Sequence, residues 1–261
     1  MSKPDLSEIL MVAKEASLLT STMLSDAFNS GIAEVSEKAD GSVVTDLDVR
    51  AEKEIRACLS AKFDDRYAIE GEELDDTKTD RRYRWLIDPI DGTLNFTRGI
   101  PTFGTLIAFE DRDTGRALAG AIHLPVSGVT YYAAAGLGAF RDDRKIFVSP
   151  DRQPDQAIVS TSDVYQFRAA RLEKEFGTLR DTFDVLRGYG DCWAHALVAE
   201  GAIDASVEPY LNRWDFAATE VLVHEAGGLC LSRRSDTDNL AYDAIFGSRK
   251  LVEMIASMIS F

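Results

Sequence analysis

Residues 85–96 read WLIDPIDGTLNF, which is the most informative stretch of the sequence. An apolar run ends at an Asp-Pro dipeptide, and because proline has no backbone N–H, we expect Asp88 at the end of a buried strand, where α/β proteins place their sites. Asp91, three residues on, can converge on the same point. If Thr93 begins a helix, the free amides of Gly92 and Thr93 form a cradle for an anion. Two carboxylates beside such a cradle predict a cation between them, although Asp-Pro and Asp-Gly are also ordinary turn formers.

Two other acidic segments repeat this pattern. Residues 67–76, YAIEGEELDD, predict a short apolar strand that stops at Glu70 and continues into an acidic loop with Glu72. Residues 211–228, LNRWDFAATEVLVHEAGG, place Asp215 where an amphipathic helix begins. Taken singly, the first segment is typical of a solvated loop and the second of a helix N-cap.

The composition excludes several classes of partner. The chain has 261 residues, 45% of them hydrophobic, and 44 acidic against 29 basic side chains give a net charge of −15. Its average surface therefore repels nucleic acids and anionic membranes.

The N-terminal segment lacks the apolar core of a signal peptide and no apolar run is long enough to span a bilayer, so we expect a cytoplasmic protein without a membrane partner. The cysteines are too few and too scattered for a disulfide framework and predict free thiols: Cys58, Cys192 and Cys230.

The spacing of apolar residues predicts a mixed order of helices and strands. It is typical of an amphipathic helix over 5–28, and a second helix follows Thr45 after a loop at 38–48. Short alternating runs between 83 and 134 predict strands. Further elements are expected as strands at 157–161 and 182–189 around a helix at 165–176, then helices at 191–201, 215–226 and 248–260. Helix pairs followed by meandering strands indicate an α+β fold of stacked layers and not a regular doubly wound sheet.

Three motifs occur in order: a GEE loop, a DPIDGT segment ending in NF, and a WDFAA segment followed by EAGG. Together they resemble the inositol monophosphatase superfamily of lithium-sensitive, magnesium-dependent phosphatases, over nearly the whole chain. The resemblance implies a layered α-β-α-β-α sandwich of the type shared with fructose-1,6-bisphosphatases, a homodimer, and hydrolysis of a small phosphorylated metabolite. The SPDRQPDQ stretch would divide the chain into an α+β half at 1–150 with most metal ligands and an α/β half at 151–261 with Asp215 and the substrate-side residues.

The resemblance also implies binding of Mg²⁺. By motif position, Glu72, Asp88 and the Ile90 carbonyl bind one ion. Asp88, Asp91 and Asp215 bind a second. All of these ligands are hard oxygens, which suit Mg²⁺, whereas the motifs contain no His or Cys that would select zinc or copper. Structural or surface roles are expected for the three histidines: His123, His195 and His224.

Asp48 matches the family position that pairs with the motif threonine, here Thr93, to orient the attacking water. The Gly92 and Thr93 amides would stabilise charge on the phosphate oxygens, so that water and not a side chain is the nucleophile. Capping of the following helix by Thr45 or Asp46 is another role for this segment, and both roles can hold at once.

Residues 187–209 carry the information about the substrate. Inositol phosphatases typically have a small Gly-Ser/Thr-Ala-Ala stretch here, whereas this chain has Gly-Asp-Cys-Trp at 190–193. The RGYGD pattern followed by LVAEGAID and EP resembles the histidinol-phosphate phosphatase branch of the superfamily. Asp191 and Glu208 would then form a negative site for the ammonium group of histidinol phosphate. The alternatives are that Asp191 caps the helix at 192, that the substrate is an inositol phosphate, and that the chain is a catalytically idle binding or regulatory member.

Overall fold

The computed structural model describes residues 3–31, 35–37, 43–77, 80–259 and 261. Its helices are α1 (Leu6–Leu19), α2 (Ser21–Ser30), α3 (Asp46–Phe63), α4 (Thr93–Thr97), α5 (Val164–Ala169), α6 (Glu173–Thr182), α7 (Asp191–Ala199), α8 (Arg213–Glu225) and α9 (Arg249–Met258). The strands of the N-terminal part are β1 (Val35–Glu37), β2 (Val43–Thr45), β3 (Ala68–Gly71), β4 (Tyr83–Asp91), β5 (Gly104–Asp111), β6 (Arg116–Leu124), β7 (Val129–Ala134), β8 (Gly138–Arg141) and β9 (Arg144–Lys145). Those of the C-terminal part are β10 (Ile158–Thr161), β11 (Val185–Arg187), β12 (Ala205–Leu211), β13 (Leu229–Arg234) and β14 (Tyr242–Gly247).

Two sheets and three layers of helices alternate through the molecule. A seven-stranded sheet, ordered β3-β4-β5-β6-β7-β8-β9, has α1 and α3 on one face, where Ile9, Ile55 and Trp85 share a buried cluster. Its other face packs on α7 and α8, in a cluster that joins Phe216 of α8 to Phe246 of β14. β14 belongs to a five-stranded sheet, ordered β11-β10-β12-β14-β13, which has α6 and α9 on its far side. The layers follow the order α-β-α-β-α, which confirms the predicted fold.

The helix α8 lies between the two sheets and is therefore buried on both sides. Its side chains from Phe216 to Val223 are apolar or small except for Glu220, as expected for a helix with two covered faces. The approach to β6 is close, because a Cβ on Gly120 would lie 2.7 Å from the Ala218 Cα atom. This tight packing fixes the start of α8, where Asp215 lies, against the first sheet.

The helix predicted over 5–28 is broken at Thr20. This residue separates α1 from α2, and its buried hydroxyl contacts the Thr105 hydroxyl of β5 at 3.3 Å. The next residue, Ser21, is bonded through its hydroxyl to His123 Nε2 of β6 at 2.8 Å. The chain breaks the helix here because two polar side chains bind to the sheet below, which periodicity alone does not reveal.

Two predictions in the C-terminal part are also wrong in detail. The helix expected over 165–176 is divided into α5 and α6, with Arg171 between them at a φ of 59°. The strand expected over 182–189 is reduced to β11, because α6 extends to Thr182. The remaining helices predicted in this part lie within two or three residues of their expected bounds.

Other expectations have mixed outcomes. The loop predicted at 38–48 contains β2, which pairs antiparallel with β1, and residues 38–42 lie outside the described part of the chain. The three cysteines are free thiols, as predicted. No helix in the described residues is both long and apolar enough to cross a membrane. The division of the chain at 149–156 stays a prediction.

His123 is a buried neutral group that predicts how folding depends on pH. Its ring is 1% exposed and bonds to the Thr130 and Ser21 hydroxyls, and burial lowers its pKa to about 4. The unfolded chain, with a histidine pKa of about 6.5, therefore binds more protons at pH 5, and stability present above pH 6.5 is lost as pH falls towards 4. The wild type should lose more unfolding free energy than His123→Asn when the pH is lowered from 7 to 5. We expect the difference between the two losses to be about 2 kcal/mol, measured by urea denaturation. Identical slopes in the two proteins would contradict the assignment.

Candidate active site

The strand β4 brings Asp88 and Asp91 to one side of the sheet. It continues to Asp91, so the expectation that the strand ends at Asp88 is wrong. Asp88 pairs with Leu106 and Asp91 pairs with Gly104. The two aspartates are three residues apart on β4, whereas their partners are only two residues apart on β5. This extra residue is a bulge around Pro89, whose carbonyl accepts a hydrogen bond from a β5 threonine at 2.9 Å. Residues three apart point to opposite faces of a regular strand, so the bulge lets the two carboxylates face the same region.

Gly92 turns the chain from β4 into α4. Its φ of 83° is left-handed, and a Cβ there would lie 3.0 Å from the Thr102 carbonyl oxygen and 3.3 Å from Asp191 Oδ2. A helix does begin at Thr93, which is the condition for the anion cradle, and it is five residues long. The Thr93 hydroxyl is within hydrogen-bond distance of two acceptors, the Ile90 carbonyl at 2.8 Å and Asp48 Oδ1 at 3.2 Å.

Asp48 caps α3 and reaches the DPIDGT segment at the same time. Its Oδ2 accepts hydrogen bonds from the Thr45 backbone N–H at 2.7 Å and the Thr45 hydroxyl at 2.6 Å, which closes a capping box. Its Oδ1 faces Thr93. Burial raises the pKa of Asp48 against the opposing effect of the Thr45 hydrogen bonds. The capping role and the contact with the motif threonine therefore coexist.

Glu72 and Asp215 come from two other elements. Glu72 follows β3 directly, and its backbone N–H donates to the Ile87 carbonyl of β4 at 3.2 Å. Asp215 is the third residue of α8, and its Oδ2 accepts the Asn212 backbone N–H at 2.7 Å. The N-cap of α8 is thus Asn212, and Asp215 completes a capping box.

The acidic side chains lie near enough to repel one another. Burial, followed by repulsion from Glu72, Asp91 and Asp215, raises the pKa of Asp88 well above its usual range. Burial and repulsion from Glu72 and Asp91 do the same for Asp215. Burial also raises the pKa of Asp91, although His195 and the Cys192 N–H oppose it. The structure therefore brings these four residues of three separate motifs into one strongly negative region.

The donors in this region suit a hard cation. Asp88, Asp91 and Asp215 each use one carboxylate oxygen for a backbone N–H, and the Asp91 carboxylate also contacts the Cys192 thiol. Among the described residues, the other oxygens of Asp88 and Asp215 have no hydrogen bond. Oxygen donors with excess buried negative charge are the ligands that Mg²⁺ prefers. Among the described residues, the structure contains no group of three His, Cys, Asp or Glu side chains that is tight enough to hold a metal ion. The fit to Mg²⁺ rests on donor chemistry and charge, and not on a preformed coordination shell.

Asp191 lies at the start of α7 and faces this region. It does not cap the helix, because the N-cap is Gly190 and no side-chain capping bond is present there. Its φ is 50°, and its Oδ2 accepts a hydrogen bond from Asn95 Nδ2 at 2.9 Å. Burial, Asp91 and Glu208 raise its pKa well above the usual range. The half-buried Asp191 thus extends the negative region away from β4, while the next N–H of α7, that of Cys192, donates to the Asp91 carboxylate.

Glu208 lies close enough to Asp191 to influence it by its charge and is only 1% exposed. Its Oε2 is 3.1 Å from His195 Nε2, and its Oε1 accepts the Ser206 hydroxyl at 2.5 Å. The other ring nitrogen of His195 contacts the Thr219 hydroxyl at 2.8 Å. Burial lowers the pKa of His195, but Glu208 and the neighbouring aspartates outweigh it, so that the net shift is upward. Both oxygens of Glu208 are therefore engaged within the protein.

A buried chain of charges links the elements of the site, and the sequence analysis missed it. The two Glu110 carboxylate oxygens bind Arg84 of β4 and Arg213 of α8 respectively. Arg84 also binds Glu70 of β3, and Arg213 binds Glu220. These ion pairs connect β5 to β3, β4 and α8, the elements that carry or precede the motif acids. The sequence signal for these ion pairs is that charged residues stand inside apolar strands. Charged side chains in such positions need partners when they are buried.

Known proteins resemble this chain over nearly its full length. A model of the Inositol monophosphatase family matches residues 5–260. A histidinol-phosphatase of Chlorobaculum parvum is 36% identical over 231 residues, which cover 88% of this chain and 86% of that protein. An inositol-1-monophosphatase of Mesorhizobium japonicum is 30% identical over 230 residues, covering 84% of this chain and 83% of that protein. Among solved structures, extragenic suppressor protein suhB from Bartonella henselae superimposes with a TM-score of 0.86 at 27% identity and covers 97% of this chain and 98% of that chain.

The repulsion within the site predicts a gain in stability when one charge is removed. Asp88→Asn keeps an oxygen for the Ile90 N–H but removes a buried charge that is 2% exposed. We expect the melting temperature of the metal-free protein at pH 7.5 to rise by about 2–6 °C, and the further rise on adding Mg²⁺ to shrink. Thermal unfolding with EDTA and with Mg²⁺ measures both, and the exposed Asp113→Asn serves as the control. A lower melting temperature for metal-free Asp88→Asn would contradict the prediction that the Asp88 charge destabilises the metal-free protein.

Proposed function

The chain belongs to the inositol monophosphatase family of phosphoric monoester hydrolases, and on that premise we propose that it hydrolyses histidinol phosphate in a Mg²⁺-dependent reaction. The observation that carries this proposal is the single negative region formed by Glu72, Asp88, Asp91 and Asp215, with Asp191 at its edge. Acids from separate motifs repel one another at a cost in stability, and a cation is the partner that offsets it. Cytoplasmic location and assembly as a homodimer stay predictions.

Asp48 and Thr93 are the residues that would orient the attacking water. Magnesium ions, held by the acids of the negative region and the Ile90 carbonyl, would activate that water and neutralise charge on the phosphate and the leaving oxygen. The Thr93 hydroxyl is positioned by two acceptors, and Asp48 is fixed by its capping bonds to Thr45, so neither side chain has to be ordered when the substrate binds. The upward-shifted pKa of Asp48 suits a group that accepts a proton from water. We expect the Gly92 and Thr93 amides to face the phosphate.

Asp191 is the residue we propose for recognition of the alcohol part of the substrate. It is half-buried, it is oriented by Asn95, and it lies close enough to Asp91 to be influenced by its charge. A carboxylate in such surroundings favours a cationic group, such as the ammonium of histidinol, over a hydroxyl. Since both Glu208 oxygens are engaged, we propose that Glu208 adds negative charge at a distance and does not touch the ammonium.

An inositol phosphate is the second candidate substrate. It is favoured by the relative named inositol-1-monophosphatase, which shares 30% identity with this chain. The two candidates differ in charge, because a polyol presents only hydroxyls to Asp191. Charge at this position is therefore the property that separates them.

Metal dependence is the first test of the proposed reaction. We expect phosphate release from histidinol phosphate to stop in excess EDTA and to return when Mg²⁺ is added, because the oxygen donors of the site match that ion. A colorimetric phosphate assay with dialysed protein measures this. Undiminished hydrolysis in excess EDTA would refute the proposed mechanism, and no hydrolysis of either candidate substrate with Mg²⁺ would favour the idle binding member.

Asp191→Asn tests the substrate. Asparagine tolerates a positive φ and keeps an oxygen for Asn95, so that only the charge is removed. We expect kcat/KM for histidinol phosphate to fall roughly 10- to 150-fold, the equivalent of about 1.5–3 kcal/mol for a charge-assisted contact, with little change for inositol 1-phosphate. The ratio of the two efficiencies is its own control, since a folding or metal defect lowers both. A wild type that prefers inositol 1-phosphate, or an unchanged ratio in Asp191→Asn, would favour the second candidate.

A further inference from the structure

The loop after β3, which carries Glu72, is held by a buried ion pair on α3. The Glu52 side chain is 0% exposed and accepts hydrogen bonds from Arg56 Nε at 2.7 Å and from the Glu73 backbone N–H at 2.8 Å. The Arg56 guanidinium donates to the carbonyl oxygens of the next two loop residues at 2.9 and 3.1 Å. The Glu52–Arg56 pair thus binds three consecutive backbone positions immediately after Glu72.

Gly71 and β4 hold the other side of Glu72. A Cβ on Gly71 would lie 2.2 Å from Glu52 Oε1, so the carboxylate passes directly against the backbone at a position where only glycine leaves room. The Glu72 N–H donates to the Ile87 carbonyl, one residue before Asp88. Glu72 is therefore held between β4 and the Glu52–Arg56 pair.

The same face of α3 carries Asp48. Asp48 and Glu52 are four residues apart, which places them one above the other on the helix, and both are fully buried. A buried carboxylate is costly unless it is compensated, and Glu52 is compensated by groups that also define the loop. One turn of α3 contacts Thr93 and the next contacts the loop of Glu72.

From this geometry we propose that Glu52 and Arg56 are positioning residues that hold Glu72 beside Asp88 and so set the affinity for Mg²⁺ without touching ion or substrate. This inference rests on the proposed function, in which Glu72 and Asp88 share an ion. Partners that orient a metal ligand typically affect metal affinity by 10- to 100-fold. The fixed loop also makes a separate prediction for the metal-free protein, where the backbone N–H of Glu73 is protected by Glu52.

Glu52→Gln and Glu54→Gln form a matched pair of variants. Both remove one acid from α3, and Glu54 is also paired with an arginine four residues away, Arg50, but on the exposed face at 3.2 Å. Glutamine at 52 has one oxygen for two N–H donors, so one of the two contacts is lost. We expect the Kd for Mg²⁺, measured by titration calorimetry without substrate, to rise about 10-fold or more in Glu52→Gln and less than about 2-fold in Glu54→Gln.

Two further readouts separate positioning from a general loss of stability. Hydrogen exchange of the metal-free protein should be at least about 10-fold faster at the Glu73 N–H in Glu52→Gln, because Glu52 accepts that N–H, and unchanged in the strands of the sheet. The Mg²⁺ concentration for half-maximal activity should rise with the Kd, while kcat at saturating Mg²⁺ stays within about threefold. If Glu52→Gln does not fold, Arg56→Lys serves instead, because lysine keeps the charge but lacks the fork that reaches the loop carbonyls, and about 3- to 10-fold weaker binding is expected.

The outcomes distinguish this inference from the proposed function. Wild-type affinity for Mg²⁺ in Glu52→Gln, with unchanged exchange at the Glu73 N–H, would overturn the positioning role while leaving the Mg²⁺-dependent reaction intact. Where Arg56→Lys is used instead, wild-type affinity for Mg²⁺ would do the same. A wild type that neither binds Mg²⁺ nor needs it for hydrolysis would instead overturn the proposed function, and the positioning role with it.

Discussion

The candidate site depends on keeping several carboxylates close together in a mostly buried part of the protein. Each carboxylate repels its neighbours, and burial strengthens that repulsion because the low dielectric screens it poorly. The protein compensates in two ways. Asp88, Asp91 and Asp215 each accept a backbone N–H, and the charged chain through Arg84, Glu110 and Arg213 holds the elements that carry them. The remaining negative charge is what makes the region suitable for a cation.

The layered fold brings these groups together from distant parts of the sequence. The acids of the DPIDGT segment lie on the first sheet, and Asp215 lies on the central helix layer that both sheets cover. Asp191 begins the neighbouring helix of that layer. Groups with a proposed role in the reaction therefore come from the first sheet, from α3 and from the central layer, and the proposed recognition group also lies on the central layer. The start of α7 is tied to the DPIDGT segment, because the Cys192 N–H donates to Asp91 and Asp191 accepts a hydrogen bond from Asn95.

Features that neighbouring residues determine could be predicted from the sequence, whereas features that depend on contacts between distant residues could not. The mixed layers of helix and sheet were predicted correctly from the pattern of apolar residues, and the family resemblance added the α-β-α-β-α order. A helix at Thr93 and capping by Thr45 or Asp46 were raised as possibilities by local chemistry, and the structure contains the helix and the Thr45 cap. The break at Thr20 could not be predicted, because it depends on Thr105 and on His123, a hundred residues away. The continuation of β4 past Pro89 was missed for a similar reason, since its bulge is defined only by pairing with β5. The partner of Glu208 was also hidden, because an i to i+13 contact with His195 leaves no periodic signal.

The capping boxes of α3 and α8 have a consequence for how sequences of this kind are interpreted. Asp48 and Asp215 each stabilise the first turn of a long helix through a backbone N–H, a contribution of about 1 kcal/mol that exists without any ligand. Selection for folding alone would therefore preserve both aspartates in a descendant that had lost catalysis. An evolutionary trace of inactivation should be sought at Glu72 and Asp191, which belong to no capping box among the helices of the described residues. Retention of the two capping aspartates cannot by itself distinguish an enzyme from a pseudoenzyme.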